Sequence, residues 1–326
     1  MAVNQPLRNP LGETQLRVVE PSNPVDSATD PVYGYSFSYA IYGETRQKGD
    51  WERRFVVRAQ KRERLPLIRL ASTFLLRCCD YAIDRLNRDF VIAGSRELNV
   101  YFCTEGRPGG EHFRNNIYLF RADDSVAPID WAREIAHEFG HASVPPINSF
   151  LEPEAWANGD VGERLFLEWL LEDLKTGRLS PDDAMRCAPG DLERYLDRHK
   201  KPLVDRLLAN GLDVRKYRSR SAEGYFEYVA FACYLERVYG AALLARSMAL
   251  AGGVEPEHFL KGATEAINES DDLTVTMRKQ SQMLFLPNYA QWRTEQGRLE
   301  RGSSSDWPRI ALQSWKPDQN LRLTKA

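Results

Sequence analysis

Residues 131–146, WAREIAHEFGHASVPP, hold two of the five histidines of this 326-residue chain, four positions apart, with a glutamate directly after the first. Pro128 stands where a helix tolerates proline, near its first turn, while Pro145 and Pro146 end the helix. The pattern His-Glu-x-x-His has an expected chance frequency of about 0.006 occurrences in a chain of this composition. The sequence therefore predicts a helix on which this spacing has a function.

The spacing of the motif is suited to binding one metal ion. Four residues are just over one helical turn, so His137 and His141 project from one face with ring nitrogens that can meet one ion. Glu138 stands about 100° around the helix, beside the ion, where a general base can accept a proton from bound water. The alternative is an ordinary helix with two core histidines and a surface glutamate. We expect the metal site, because no proline or glycine interrupts the helix before Gly140.

Composition excludes several classes of protein. No run approaches the roughly 18 apolar residues of a membrane span, and the first residues lack the apolar core of a secretory signal. A net charge of −2 and a pI near 6.3 give no general attraction to nucleic acid or to an anionic membrane. The five cysteines are odd in number and form no CxxC pair, which predicts buried, reduced thiols. We therefore expect a soluble, cytoplasmic protein.

The amino-terminal part of the chain changes pattern at Tyr33. Residues 1–32 are rich in Pro, Asn, Ser and Asp without periodicity, which predicts a flexible arm. From Tyr33 to Ile41 large side chains alternate with small or polar ones, and residues 51–59 form a second strand pattern. These strands predict a hairpin in a small β region at 33–62, with the aromatic stripe as a packed sheet face.

Residues 63–177 have the pattern of one α+β subdomain. The helical spacing of apolar residues predicts a helix at 67–90, and short strands are predicted at 97–104 and 115–122. The motif helix follows, and another amphipathic helix is predicted at 161–177.

The remainder of the chain predicts a helical subdomain and a tail. Residues 178–290 are mostly helical in pattern, most clearly at 224–250. Residues 291–326 lose this periodicity, which predicts a carboxy-terminal tail. No internal repeat is present, so a solenoid or propeller architecture is not expected.

At HEFGH, residues 137–141, the chain resembles the zincin metallopeptidases, whose signature is HExxH on the active-site helix. The predicted order of a long backing helix, short strands, the motif helix and a mostly helical lower part is similar to theirs. The specific resemblance covers about 60 residues, 115–175. It implies an α+β, zincin-like catalytic domain with a small mixed sheet, in which the strand at 115–122 is the edge strand that pairs with the substrate backbone.

The resemblance implies a third zinc ligand after His141. The metzincin pattern HExxHxxGxxH is excluded, because Val144 and Ile147 stand where it requires glycine and histidine. The gluzincin pattern takes a glutamate from the next helix, and Glu163 lies 22 residues after His141 on an apolar stripe, where a carboxylate is costly unless paired or bound to metal. Asp160 is the main alternative, as a ligand, a helix cap or an acceptor for a ligand histidine. The remaining alternatives are Glu154, Glu168 and His112.

By this resemblance the chain is a gluzincin-like, zinc-dependent metallopeptidase. His137, His141 and Glu163 would hold zinc (Zn2+) and leave a fourth position open for water, the mark of a catalytic site. Glu138 would accept a proton from the zinc-bound water, and the resulting hydroxide would attack the carbonyl of a peptide or protein substrate.

The lower part of the fold is expected to supply a donor for the developing oxyanion. Tyr225 and Tyr228 are the candidates, and the alternative for each is aromatic packing on a helix. Two other functions fit the same motif: a metal-dependent hydrolase or tailoring enzyme with one dedicated or non-peptide substrate, and a zincin-derived binding or regulatory protein without turnover.

Overall fold

The structure of the chain is a computed structural model, which describes residues 3–7, 9, 12–92, 94–147 and 150–269. The tail predicted at 291–326 and the last part of the predicted helical region lie outside these residues. The fold is mixed α+β, as the sequence predicts.

The chain divides into two compact units. The first comprises Met1–Val144 and Gly162–Leu196, and the second comprises Pro145–Val161 and the chain from Asp197 onward. The first unit contains all the described strands, and the second is built mainly of helices.

The first unit contains one eight-stranded mixed sheet. Its strands are β1 (Val3–Leu7), β2 (Gln15–Glu20), β3 (Val25–Thr29), β4 (Ser36–Arg46), β5 (Glu52–Ala59), β6 (Leu98–Phe102), β7 (Gly109–Phe113) and β8 (Asn116–Phe120). The order is β1-β2-β4-β5-β6-β8-β7, with β3 also paired to β4. β5, β6 and β8 run parallel, and β7 lies antiparallel to β8 at the edge.

The amino-terminal strands differ from the sequence prediction. The predicted arm at 1–32 contains β1, β2 and β3, which pair antiparallel with one another or with β4. No residue of β3 is fully buried, so backbone pairing with β4 rather than an apolar face holds this strand in the sheet. Its sequence has no alternation of apolar and polar residues that would predict a strand. The predicted hairpin of β4 and β5 is confirmed, but β5 also pairs with β6, so 33–62 belongs to the larger sheet.

The aromatic stripe of β4 is a packed sheet face, as predicted. The ring centroid of Phe37 lies 4.9 Å from that of Tyr101, which in turn lies 5.0 Å from that of Tyr118. Cys103 completes this buried cluster, and Tyr35 packs against it. All five cysteines of the chain are buried, as predicted, and none of them forms a disulfide bond in the structure.

The first unit also holds the motif helix and its neighbours. It contains α1 (Leu65–Asp84), α2 (Pro128–Ser143) and most of α3 (Asn158–Lys175) and α4 (Pro189–His199), with short 3-10 helices at Arg62–Arg64 and Pro181–Ala184. α1 packs on β4 and β5, and α2 contacts α1, β7 and β8. α1 ends earlier than predicted, because Asn87 has a φ of 49°, which a right-handed helix does not allow.

The second unit contains the helices α5 (Lys201–Asn210), α6 (Val214–Tyr217), α7 (Ala222–Tyr239), α8 (Ala241–Leu250) and α9 (Pro256–Glu269). The helical pattern predicted at 224–250 corresponds to α7 and α8, which are separated at Gly240. Aromatic rings form the centre of this unit, where Phe231 makes edge contacts with Tyr217 and Phe259. Within the described residues, no helix combines the length and the apolar character needed to cross a bilayer.

A buried acidic pair joins the amino-terminal segment to α1. Asp80 is fully buried, and its Oδ1 accepts a hydrogen bond of 2.9 Å from the side-chain amide of Asn9. Burial, and then the charge of Asp84 one turn later, raise the pKa of Asp80 to about 7. A carboxyl group with a raised folded-state pKa stabilises the fold in its protonated form, and this contribution is lost as the pH rises towards that pKa.

We therefore expect Asp80→Asn to flatten the pH dependence of stability. The parent protein should lose unfolding free energy, relative to this variant, on the order of 2–4 kcal/mol between about pH 4 and pH 8, because only the parent must ionise Asp80. Urea unfolding of both proteins across this range measures the difference. Asp50→Asn, at an exposed position, is the control and should track the parent, and a parallel pH profile for Asp80→Asn would contradict the expectation.

Candidate metal centre

Helix α2 presents the HExxH motif in the predicted way. Pro128 stands in its first turn, and the helix ends at Ser143, two residues before the Pro145–Pro146 pair. Its apolar face is buried and comprises mainly Trp131, Ala132, Ile135, Ala136 and Phe139. This burial holds α2 against the sheet and fixes which side chains point away from the core.

The two motif histidines face each other through their Nε2 atoms. The Nε2 atoms of His137 and His141 are 3.2 Å apart, and the ring planes are inclined by 81°. Two histidine nitrogens on one tetrahedral zinc ion, each at about 2.0–2.1 Å, are separated by about 3.3 Å. The spacing of the pair therefore fits a shared zinc ion.

A buried carboxylate contacts the other ring nitrogen of His137. Oε2 of Glu163 lies 3.2 Å from Nδ1 of His137. Oε1 of Glu163 accepts hydrogen bonds from Nε of Arg133, at 2.9 Å, and from the hydroxyl of Tyr195. Burial and the negative charge of Glu163 raise the pKa of Tyr195, which keeps that hydroxyl a donor. Glu163 is 3% exposed, so these contacts offset the desolvation of its charge.

These contacts assign the tautomer of His137. The ion pair with Arg133 favours an ionised carboxylate at Glu163, which can only accept a hydrogen bond and so takes the Nδ1 proton of His137. The Nε2 atom of a neutral His137 then carries the lone pair and faces His141, as a metal ligand requires.

The position of Glu163 bears on its predicted role as the third ligand. An ion between the two Nε2 atoms would lie across the ring of His137 from Glu163. This geometry favours Glu163 as the orienting partner of His137, while direct ligation by Glu163 stays a prediction that these contacts do not support. Asp160 precedes Glu163 by one turn of α3, and Glu168, partly exposed, follows it by five residues.

A close helix crossing brings Glu163 to His137. A Cβ atom added at Gly162 would lie 2.5 Å from the Cα of Gly140 and 3.2 Å from the ring of Phe166. The backbones of α2 and α3 therefore approach more closely here than side chains would allow. Because Glu163 follows Gly162 directly, this crossing determines the contact of its carboxylate with His137.

The edge strand β7 forms one wall of the site, which the sequence did not predict. The sequence predicts no strand at 109–113 and places the edge at 115–122, which in the structure is β8, between β6 and β7. The ring of His112 on β7 lies 6.1 Å from that of His141, with the planes only 18° apart. Among the described residues, His112 belongs to no group of three or more side chains with ligand atoms close enough to share one ion. His112 therefore stands beside the candidate metal centre.

The Nε2 atom of His112 is buried without a hydrogen-bond partner among the described residues. Burial, and then the proximity of His141, lower the pKa of His112 to about 4, so its ring is neutral at neutral pH. The sequence could place this half-buried histidine next to the HExxH helix only if 109–113 were recognised as a strand.

The tyrosines predicted as oxyanion donors both lie in the second unit. The hydroxyl of Tyr225 donates a hydrogen bond to Oε1 of Glu154, and burial, followed by the charges of Asp160 and Glu154, raises its pKa. Tyr228 is 1% exposed and packs among aromatic rings, including Phe150. The hydroxyl of Tyr225 is thus engaged by a carboxylate, and the environment of Tyr228 is that of aromatic packing. The oxyanion role of each stays a prediction.

Comparison with known proteins identifies no family for the chain. No protein-family model matches the sequence, and no curated protein sequence matches it significantly. A function is therefore inferred from the side chains that α2, α3 and β7 bring together.

The close contact between Gly140 and Gly162 predicts that a larger side chain at position 162 destabilises the fold. Gly162→Ala should destabilise the fold by roughly 1–3 kcal/mol, because the added methyl group meets backbone, which cannot move away as a side chain could. Gly190→Ala is the matched control, since its added Cβ would meet only the end of the Arg194 side chain, at 3.5 Å. Denaturant unfolding compares the two variants. Equal stability of Gly162→Ala and the parent would contradict a backbone contact at this crossing.

The orientation of Glu163 predicts a moderate effect on metal affinity. Glu163→Gln should weaken zinc binding by roughly 10- to 100-fold, the usual effect of losing a carboxylate that orients a ligand histidine. A direct ligand would cost far more, because two histidines alone would hold the ion. Competition titration with a zinc chelator measures the change, and Asp160→Asn is titrated in parallel. Loss of measurable zinc binding in Glu163→Gln, with binding retained in Asp160→Asn, would restore Glu163 as the ligand.

Proposed function

We propose that this chain is a zinc-dependent metallopeptidase with a zincin-like catalytic unit. The observation that carries the proposal is the convergence of the Nε2 atoms of His137 and His141, 3.2 Å apart, on a helix where Glu138 stands between them. The carboxylate of Glu163 on Nδ1 of His137 supports it, because an acceptor on the far nitrogen is typical of histidines that bind metal. Glu138 itself is 5% exposed, unlike an ordinary surface charge.

The chain's own residues divide the work of peptide hydrolysis. Zinc held by His137 and His141 would supply Lewis acidity, which polarises a carbonyl and lowers the pKa of water. The Glu138 carboxylate accepts a proton from the attacking water as the new carbon–oxygen bond forms. The same group then delivers that proton to the amine nitrogen as the carbon–nitrogen bond breaks. Glu163 keeps the ring of His137 fixed throughout.

The edge strand is the natural place for an extended substrate. Within the described part of the chain, β7 pairs only with β8, so its other edge has backbone groups for a peptide to pair with. By resemblance to the zincins, a substrate would pair there in antiparallel direction. The β7 side chains that point towards α2 would then lie between the substrate and the motif.

Loss of the base should separate metal binding from turnover. The parent protein should bind close to one zinc ion per chain, and Glu138→Gln should keep the ion while turnover of a mixed peptide library falls by at least about 10²-fold. Glu134→Gln, the same substitution one turn earlier on α2, is the matched control and should retain activity. His137→Ala should lose zinc, because one of two converging nitrogens is removed.

Three results distinguish the alternatives. Full zinc retention by His137→Ala would reject the metal centre. Cleavage of one dedicated peptide or of a non-peptide ester or amide, without activity on the library, would indicate a dedicated hydrolase or tailoring enzyme. Zinc binding and tight peptide binding without any turnover would indicate a binding or regulatory protein.

A further inference from the structure

The backbone of the edge strand touches the side chain of the general base. Gly110 and His112 are two positions apart on β7, so they lie on the same face of the strand, the one that points towards α2. A Cβ atom added at Gly110 would lie 2.5 Å from Oε1 of Glu138, 2.6 Å from its Cγ and 2.8 Å from its Cδ. Glu138 therefore packs directly on the bare backbone of the strand.

We propose that Gly110 is a positioning residue, whose missing side chain sets where the carboxylate of Glu138 stands beside the histidine pair. The catalytic consequence rests on the proposed function, whereas the packing consequence does not. Neither the HExxH pattern nor its metal ligands require a glycine at this place.

The physical argument depends on which atoms would have to move. An ordinary contact between a methyl carbon and another heavy atom is about 3.5 Å or longer, so three atoms of Glu138 would each have to retreat by about 1 Å. These atoms form the end of a flexible side chain, which can move by changing rotamer without displacing α2. The added methyl group would therefore displace the carboxylate, at a modest cost in stability that arises from the Glu138 side chain alone.

Displacement of the Glu138 carboxylate should slow its transfer of protons. Misplacement of a reacting group by about 1 Å can cost about 10²-fold in rate. The histidine pair is held separately, by the apolar face of α2 and by Glu163, so zinc binding should not follow the carboxylate. Gly110 should thus affect turnover without affecting the metal.

The test is a double-mutant cycle of four proteins: the parent, Gly110→Ala, Glu138→Ala and the double variant. Gly110→Ala should lower kcat by about 10²-fold, with KM and zinc affinity near those of the parent. In the Glu138→Ala background the same change should lower kcat no further, because the side chain that it displaces is absent. The urea midpoint should follow the same rule: Gly110→Ala should lower it in the parent and not in Glu138→Ala.

Two outcomes would overturn the inference. One is a Gly110→Ala protein with parental kcat and parental urea midpoint, and the other is an equal effect of Gly110→Ala in both backgrounds. If Gly110→Ala does not fold, folding of the double variant supports the contact and its failure to fold rejects it. If the parent hydrolyses no peptide, the proposed function fails, and the unfolding cycle alone then decides the inference about Gly110.

Discussion

The candidate metal centre depends on a place where two helices touch through glycine. Gly140 lies within the HExxH motif, and Gly162 lies in the helix that follows it. Only glycine at Gly162 allows the two backbones to approach as they do, since a Cβ atom there would stand 2.5 Å from the Cα of Gly140. The crossing places the next residue, Glu163, against His137. One steric constraint thus links the motif helix to the carboxylate of Glu163, which orients the ring of His137.

The charges around this crossing are balanced locally. The carboxylate of Glu163 would be costly to bury alone, but Arg133 from α2 and the hydroxyl of Tyr195 both donate to it. The guanidinium of Arg133 also lies 4.9 Å from the ring centre of Tyr195, where a cation–π interaction is favourable. Removal of Arg133 or Tyr195 would leave the buried charge of Glu163 without one of its donors. Substitution of either residue should therefore destabilise the fold. The same group holds the Nε2 lone pair of His137 towards His141.

The sequence was most informative where one helix carries both the fold and the chemistry. The spacing of His137, Glu138 and His141 requires only the geometry of α2, and the helix begins and ends at the prolines that flank it. The cost of a carboxylate on an apolar stripe correctly indicated that Glu163 must have partners. Which nitrogen of His137 it meets depends on the crossing angle of two helices, and sequence spacing does not specify that angle.

The strands were harder to predict where backbone pairing replaces side-chain burial. β3 buries little apolar surface, and β7 begins with two glycines inside a segment that has the composition of a turn. Hydrophobic alternation marks neither strand, so β3 was assigned to a flexible arm and the sheet edge was placed one strand too far along the chain. The glycine that conceals β7 in the sequence is the one that lets its backbone contact Glu138.

The most direct test of this account is a crystal structure of the zinc-loaded protein, with anomalous diffraction measured at the zinc absorption edge. The account predicts one strong peak at about 2.0–2.1 Å from the Nε2 atoms of both His137 and His141, with Glu163 still hydrogen-bonded to Nδ1 of His137. Absence of a peak between the two histidines at saturating zinc would contradict the metal centre. A peak bound by Nδ1 of His137 together with Glu163 would contradict the orientation on which the account depends.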